Sequence, residues 1–215
     1  MGEQNKQPKD RRDFSAQSVE PVQNVGNEAK VETKKKRENF FSAKKIATMA
    51  IFTALSFVVS LFDFPLFPDA SFLKLDFGNV FIMLIGFLFG PTEGIIVCAL
   101  KEVLHIPFGS TGGVGELANI LVTVSYILLP SFLYRFKKGL KVVIPSLIGG
   151  VLLMTCVALV ANRYITFPLF MQDGAEAAFA AFWQIIVYFN LIKGTIISVL
   201  TCLLYKTLSR FLDKF

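Results

Sequence analysis

Histidine occurs once in this 215-residue chain, as His105, and cysteine three times, as Cys98, Cys156 and Cys202. The cysteines lie singly in apolar runs, with no CxxC pair and no histidine at ligand spacing, so neither a zinc site nor a disulfide framework organises the fold. Charge is scarce as well: 18% of residues are charged, against 53% hydrophobic and 23 phenylalanines. That balance is too apolar for a soluble domain and implies a membrane protein. No GxxxxGK[ST] loop occurs, so the chain is not expected to hydrolyse ATP. Its apolar segments hold no Ser/His/Asp set, paired aspartates or His/Glu constellation, so an intramembrane enzyme has little support. In "GGVGELA", Gly113, Gly115 and Ala118 have the spacing of a dinucleotide fingerprint, yet no strand precedes them and no acidic residue follows to hold a ribose. They read as the entry to a helix.

Residues 1–43 are polar, poor in aliphatic side chains and unpatterned, and are expected to form a disordered cytoplasmic tail rather than a cleaved signal. The net charge of +6 does not require nucleic acid as a partner. Lys34, Lys35, Lys36, Arg37, Lys44 and Lys45 stand directly before the first apolar segment, where membrane topology accounts for them. Residues 44–215 are expected to be an all-α, polytopic domain of six transmembrane helices: Ile46 to Phe62, Phe77 to Phe89, Thr92 to His105, Val114 to Phe136, Val142 to Ala161 and Phe182 to Tyr205. "GPTEG" divides the second from the third as a tight helical hairpin, both short enough to need packing inside the bundle. The basic stretches KKKRENFFSAKK, RFKKGLK and KTLSRFLDK all fall on one side of such a bundle, which predicts cytoplasmic N- and C-termini. The loops left outside carry Phe, Pro and Gly, a composition suited to a lid over a cavity.

The last apolar segment holds Asn190 and Lys193. A lysine at the centre of a spanning helix costs about 2.5–3.5 kcal/mol on insertion scales, so it is paired or functional. The two are i and i+3 and share one face, with Gly194 beside them leaving room for something flat, and Asn162 closes the preceding helix. Two amides and an ammonium match a ring edge that presents carbonyl and N–H groups, as flavins, pterins and purine-like molecules do. Glu116 and Asn119 share a face on the first turns of the fourth helix, where an acid also suits the helix dipole. Lys101 and Glu102 are adjacent on the third helix and are expected to point apart, each needing another partner. His105 reads as an interfacial or capping residue.

Four segments in order, "FDFPLFPDASFLKLDF", "GFLFGPTEGIIV", "NRYITFPLF" and "FNLIKG", resemble the substrate-binding S-components of energy-coupling-factor (ECF) vitamin transporters, specifically the riboflavin-binding ones. The resemblance runs from Lys44 to the C-terminus. It implies a multi-pass protein of the bacterial plasma membrane that captures extracellular riboflavin as substrate, with no cofactor, and docks on a transmembrane scaffold subunit and two cytoplasmic ATPase subunits. The polar flavin contacts carry over onto Asn162, Asn190 and Lys193, with Leu73 and Phe67 of the first outer loop as apolar contacts; Asn119, singled out by its place on the fourth helix, is a further candidate for substrate binding. Ala50 and Ala54 match a small-xxx-small pattern that packs against the scaffold. The chain departs from the family pattern at Gly78, Asn79, Glu102 and Arg163, and Arg163 near the outer mouth suggests room for a flavin phosphate such as FMN. Alternatives are an S-component for another flat heterocycle and a self-sufficient ion-coupled transporter using Glu102 or Glu116.

Overall fold

The computed structural model describes Gly2, residues 42–137 and residues 139–212, with side chains as far as Tyr205. The tail assigned to residues 1–43 lies outside them apart from Gly2, Ser42 and Ala43. From Lys44 onward the described chain is nearly all helical. Its helices are α1 Ala43–Ser60, α2 Asn79–Phe89, α3 Pro91–His105, α4 Val114–Phe136, α5 Leu140–Ala161, α6 Phe167–Met171 and α7 Ala175–Leu212. Two-residue strands, β1 Phe64–Pro65 and β2 Lys74–Leu75, make a small antiparallel hairpin between α1 and α2, with Phe64 opposite Leu75.

Polarity runs opposite to that of a soluble helix. On α1 the buried residues are Thr53, Ser56 and Ser60, while Ile51, Leu55 and Val58 face outward. On α5 Ser146 and Thr155 are buried, while Ile144, Ile148 and Leu152 are exposed. A bilayer solvates aliphatic side chains and leaves hydroxyls to find protein acceptors. Thr53 donates to Met49 O at 2.8 Å, and Ser56 donates to Gly78 O at 2.9 Å. Among the described residues three helical stretches are long and apolar enough to cross a membrane: Ala43–Ser60, Val114–Phe136 and the continuous path Leu140–Tyr205. The apolar α2, at 11 residues, is shorter than a usual span and is buried almost throughout from Val80 to Phe87. It sits inside the bundle, as its length requires.

Close side-chain contacts sort the helix ends into two groups. At one end Lys45, near the start of α1, pairs with Glu93 in the first turn of α3. Phe87 at the end of α2 packs on Tyr134 and Tyr205, with ring centroids 5.0 and 6.0 Å away, and the two tyrosine hydroxyls are 2.6 Å apart. At the other end Ser56 meets Gly78 ahead of α2, and His105 closing α3 meets Glu116 at the start of α4. The chain therefore runs alternately up and down through α1 to α4. The α2–α3 reversal takes a single residue, Gly90, whose φ of +118° suits glycine, and Pro91 then opens α3 with its fixed φ.

Two expectations are corrected. The segment "RYITFPLFMQDGAEAA" is not an open loop: after α5 the backbone continues through a wider π-type turn at Asn162–Thr166, then α6, and α7 starts at Ala175 rather than Phe182. Gly194 does not leave room for a ligand. A Cβ there would lie 2.8 Å from both Val151 and Met154 on α5, so its missing side chain lets α5 and α7 approach. Gly194→Val is expected to overpack this contact by about 1–3 kcal/mol. At about 2–4 °C per kcal/mol, the melting temperature of the purified protein falls by several degrees.

Candidate functional site

The end of the bundle bearing the hairpin encloses a cavity whose walls come from the hairpin, α3, α4, the α5–α6 turn and α7. Five of the six residues expected to bind a substrate line it: Leu73, Asn119, Asn162, Asn190 and Lys193. Phe67 is not among the lining residues; it packs half-buried against the core, and the hairpin presents Phe72 and Leu73 to the cavity instead. Phe72 is fixed edge-on against Phe167 and Phe182, with centroids 5.6 and 5.5 Å away. Phe72, Phe167, Phe170 and Phe189 line the cavity and give it aromatic, apolar walls.

Both asparagines are set by their own helices. Asn162 donates through Nδ2 to Ala158 O and Asn190 to Ile186 O, each at 2.8 Å. One N–H of each amide is thereby occupied, which leaves a carbonyl oxygen and a second N–H for a partner in the cavity. The π-type turn begins at Asn162, and such turns recur at functional sites because they re-aim side chains without ending the helix.

Lys193, 5% exposed, donates to Asn119 Oδ1 at 2.9 Å. Asn119 Nδ2 donates to Glu102 Oε1, and the same oxygen accepts Lys101 Nζ at 2.7 Å. Lys101 also donates to Asp76 Oδ2, and Asp76 Oδ1 accepts the Gly78 N–H at 2.7 Å. The expectation that adjacent Lys101 and Glu102 do not pair is thus corrected: each is 1% exposed, and the flexible lysine stem brings its head round to its neighbour. Asp76, which sequence reading missed, completes a buried set of two carboxylates and two ammonium groups whose charges balance. Its signal was the acid in "KLDF" facing a lysine in an apolar run.

At the rim His105 Nδ1 lies 3.2 Å from Glu116 Oε1, and Thr111 donates to Glu116 Oε2 at 3.0 Å. Glu116 so ties the α3–α4 loop to its helix. Arg163 is exposed and absent from the cavity lining; its guanidinium stacks over Phe179 at 5.2 Å and Tyr164 at 5.6 Å. It offers the cavity no phosphate contact. Arg163→Ala is expected to leave flavin affinities within about twofold, since it removes only stacking outside the cavity and isolated exposed cation–π contacts contribute about 0.5–1 kcal/mol. Titration with riboflavin and FMN side by side checks this.

Ala50 and Ala54 lie far from these contacts in character: both are exposed, on a face of α1 that also presents Ala47, Ile51, Leu55 and Val58.

Residues 44–205 match the family model described as "ECF transporter, substrate-specific component". The chain is 32% identical over 185 residues to the riboflavin transporter RibU of Staphylococcus aureus (strain TCH60), an alignment covering 84% of this chain and 98% of that one. It is 31% identical over 180 residues to the riboflavin transporter FmnP of Bacillus subtilis (strain 168), covering 80% and 95%. A solved structure reported as the S component of a bacterial ECF transporter superposes with a TM-score of 0.68 at 34% identity, over 79% of this chain and 98% of that one.

Proposed function

The chain belongs to the family of ECF transporter substrate-specific components, and from this premise we propose that it is a riboflavin-binding subunit that captures the vitamin outside and passes it through an energising partner. One observation carries the reading: Asn162 at the end of α5 converges with Asn190 and Lys193, which share one face of α7, on one cavity with aromatic walls. A flavin's pyrimidine edge presents two carbonyls flanking an N–H, and the two amides have both acceptor and donor capacity left to meet it. Lys193 has one protein acceptor among the described residues, so further ammonium N–H groups remain for an electron-rich carbonyl or ring nitrogen. Phe72, Leu73 and Phe167 cover the flat faces, and the hairpin excludes water.

The subunit is a transporter component, not an enzyme. Its six crossings are α1, α2, α3, α4, α5 and α7, with both termini cytoplasmic and the cavity opening outward from a bacterial plasma membrane. The grouping of helix ends supports this path, and the basic residues Lys44, Lys45, Arg135 and Lys137 lie towards the end away from the cavity. Docking on the scaffold subunit, and through it on two ATPases, uses the outward face of α1 at Ala50 and Ala54, where small side chains permit close helix approach. The ion-coupled alternative gains no support from Glu102 and Glu116, because both carboxylates are engaged by protein donors.

Titrating the purified, flavin-free protein into riboflavin tests the reading through the ligand's fluorescence. Saturable quenching at one-to-one stoichiometry is expected, with FMN weaker because among the described residues no unpaired cation faces the cavity mouth: Lys74 there is held by Asp63 at 3.1 Å. Absence of quenching by either flavin would discard it.

A further inference from the structure

Lys193 is a cation in an apolar bundle, yet no carboxylate among the described residues lies within 4.0 Å of it; its hydrogen bond goes to a neutral amide. The carboxylate stands one residue further on. Glu102 accepts from Asn119 Nδ2, and since an ionised carboxylate only accepts, the Asn119 amide must turn its NH2 towards Glu102 and its oxygen towards Lys193. Glu102 is held in turn by Lys101, and Lys101 by Asp76 at the foot of the hairpin. Each link has one donor facing one acceptor, and the links come from β2's end, α3, α4 and α7.

We infer that Glu102 and Asn119 form a positioning relay that aims the Lys193 ammonium at the flavin, with Lys101 anchoring the relay to the hairpin through Asp76. The inference rests on the riboflavin reading above. A carboxylate bonded directly to Lys193 would compete with a ligand carbonyl for the ammonium; an intervening amide fixes the direction of one N–H and leaves the others for the ligand. Glu102 and Asn119 act through Lys193 and not on the flavin, which separates the relay from a general structural role.

The test is a double-mutant cycle on riboflavin affinity. Glu102→Ala frees the Asn119 amide to rotate and is expected to raise the riboflavin Kd about tenfold. Glu102→Gln keeps an acceptor oxygen in place and should stay within about threefold of the parent. In a Lys193→Met background Glu102→Ala should change the Kd by less than about twofold, because nothing is left to aim. Asn119→Ala provides the same cycle should Glu102→Ala fold poorly, and melting temperatures of the flavin-free proteins are measured alongside. If either substitution weakens binding equally with and without Lys193, the relay is overturned, and Asn119 then contacts the ligand itself or the effect is structural. A parent protein that does not quench riboflavin would overturn the functional reading, and the relay with it.

Discussion

Lys193→Met is expected to raise the riboflavin Kd by roughly ten- to hundredfold, the equivalent of the roughly 1.5–3 kcal/mol carried by a hydrogen bond to a charged group. Methionine keeps the length and apolar character of the lysine stem, and Lys193 is buried with its head 5.8 Å from the Phe189 ring and bonded to Asn119 on α4, so packing changes little. What disappears is the ammonium and its donors. Asn119 Oδ1 is not orphaned, since Thr123 Oγ1 lies 3.4 Å away. The substitution does upset the charge balance, leaving Asp76 and Glu102 opposite Lys101 alone, so the flavin-free variant should melt somewhat lower. The decisive readouts are the Kd and the rise in melting temperature on adding saturating riboflavin, which should shrink with the affinity. An unchanged Kd would remove Lys193 from the site.

Much of this was legible because lipid makes polar residues informative. An asparagine and a lysine three apart in an apolar run have few places to go, and the structure puts both on the cavity together with Asn162. The α4 limits, Val114–Phe136, and the turn at Gly90 likewise followed from hydrophobic length and turn chemistry. What stayed hidden depended on contacts distant in sequence. Asn119 meets Lys193 across 74 positions, and no local period reports that. The rule that neighbouring residues on a helix do not face each other holds for Cβ directions, but Lys101 has a four-carbon stem and a single low-polarity interior to share with Glu102. Gly194 looked like an opening because a missing side chain does not say what fills the space, and Val151 and Met154 fill it. The early start of α7 was readable in principle: "AEAAFAAF" is rich in alanine, the best helix former, and its outward loop reading gave hydropathy more weight than propensity.

Lys101→Met should be the most destabilising single change in the site. Lys101 is buried and is the common partner of Asp76 and Glu102, so its removal leaves two carboxylates in a low-dielectric interior with one ammonium, Lys193, reaching them only through Asn119. Breaking a buried pair by deleting one member costs about 3–5 kcal/mol, because the surviving charge keeps its desolvation penalty without its partner. At about 2–4 °C per kcal/mol the melting temperature of the flavin-free protein should fall on the order of 10 °C. The hairpin should loosen too, since Asp76 loses the contact that ties β2 to α3, and riboflavin should then dissociate faster as well as bind more weakly. A second substitution tests whether the lost charge balance is the cause. Adding Asp76→Asn to Lys101→Met again leaves one carboxylate and one ammonium, and the amide oxygen can still accept the Gly78 N–H. The double variant should therefore melt higher than Lys101→Met alone, although it has lost one more ionic group. If the two losses simply add, the uncompensated carboxylate is not what destabilises Lys101→Met, and the loss lies in the Lys101 hydrogen bonds themselves.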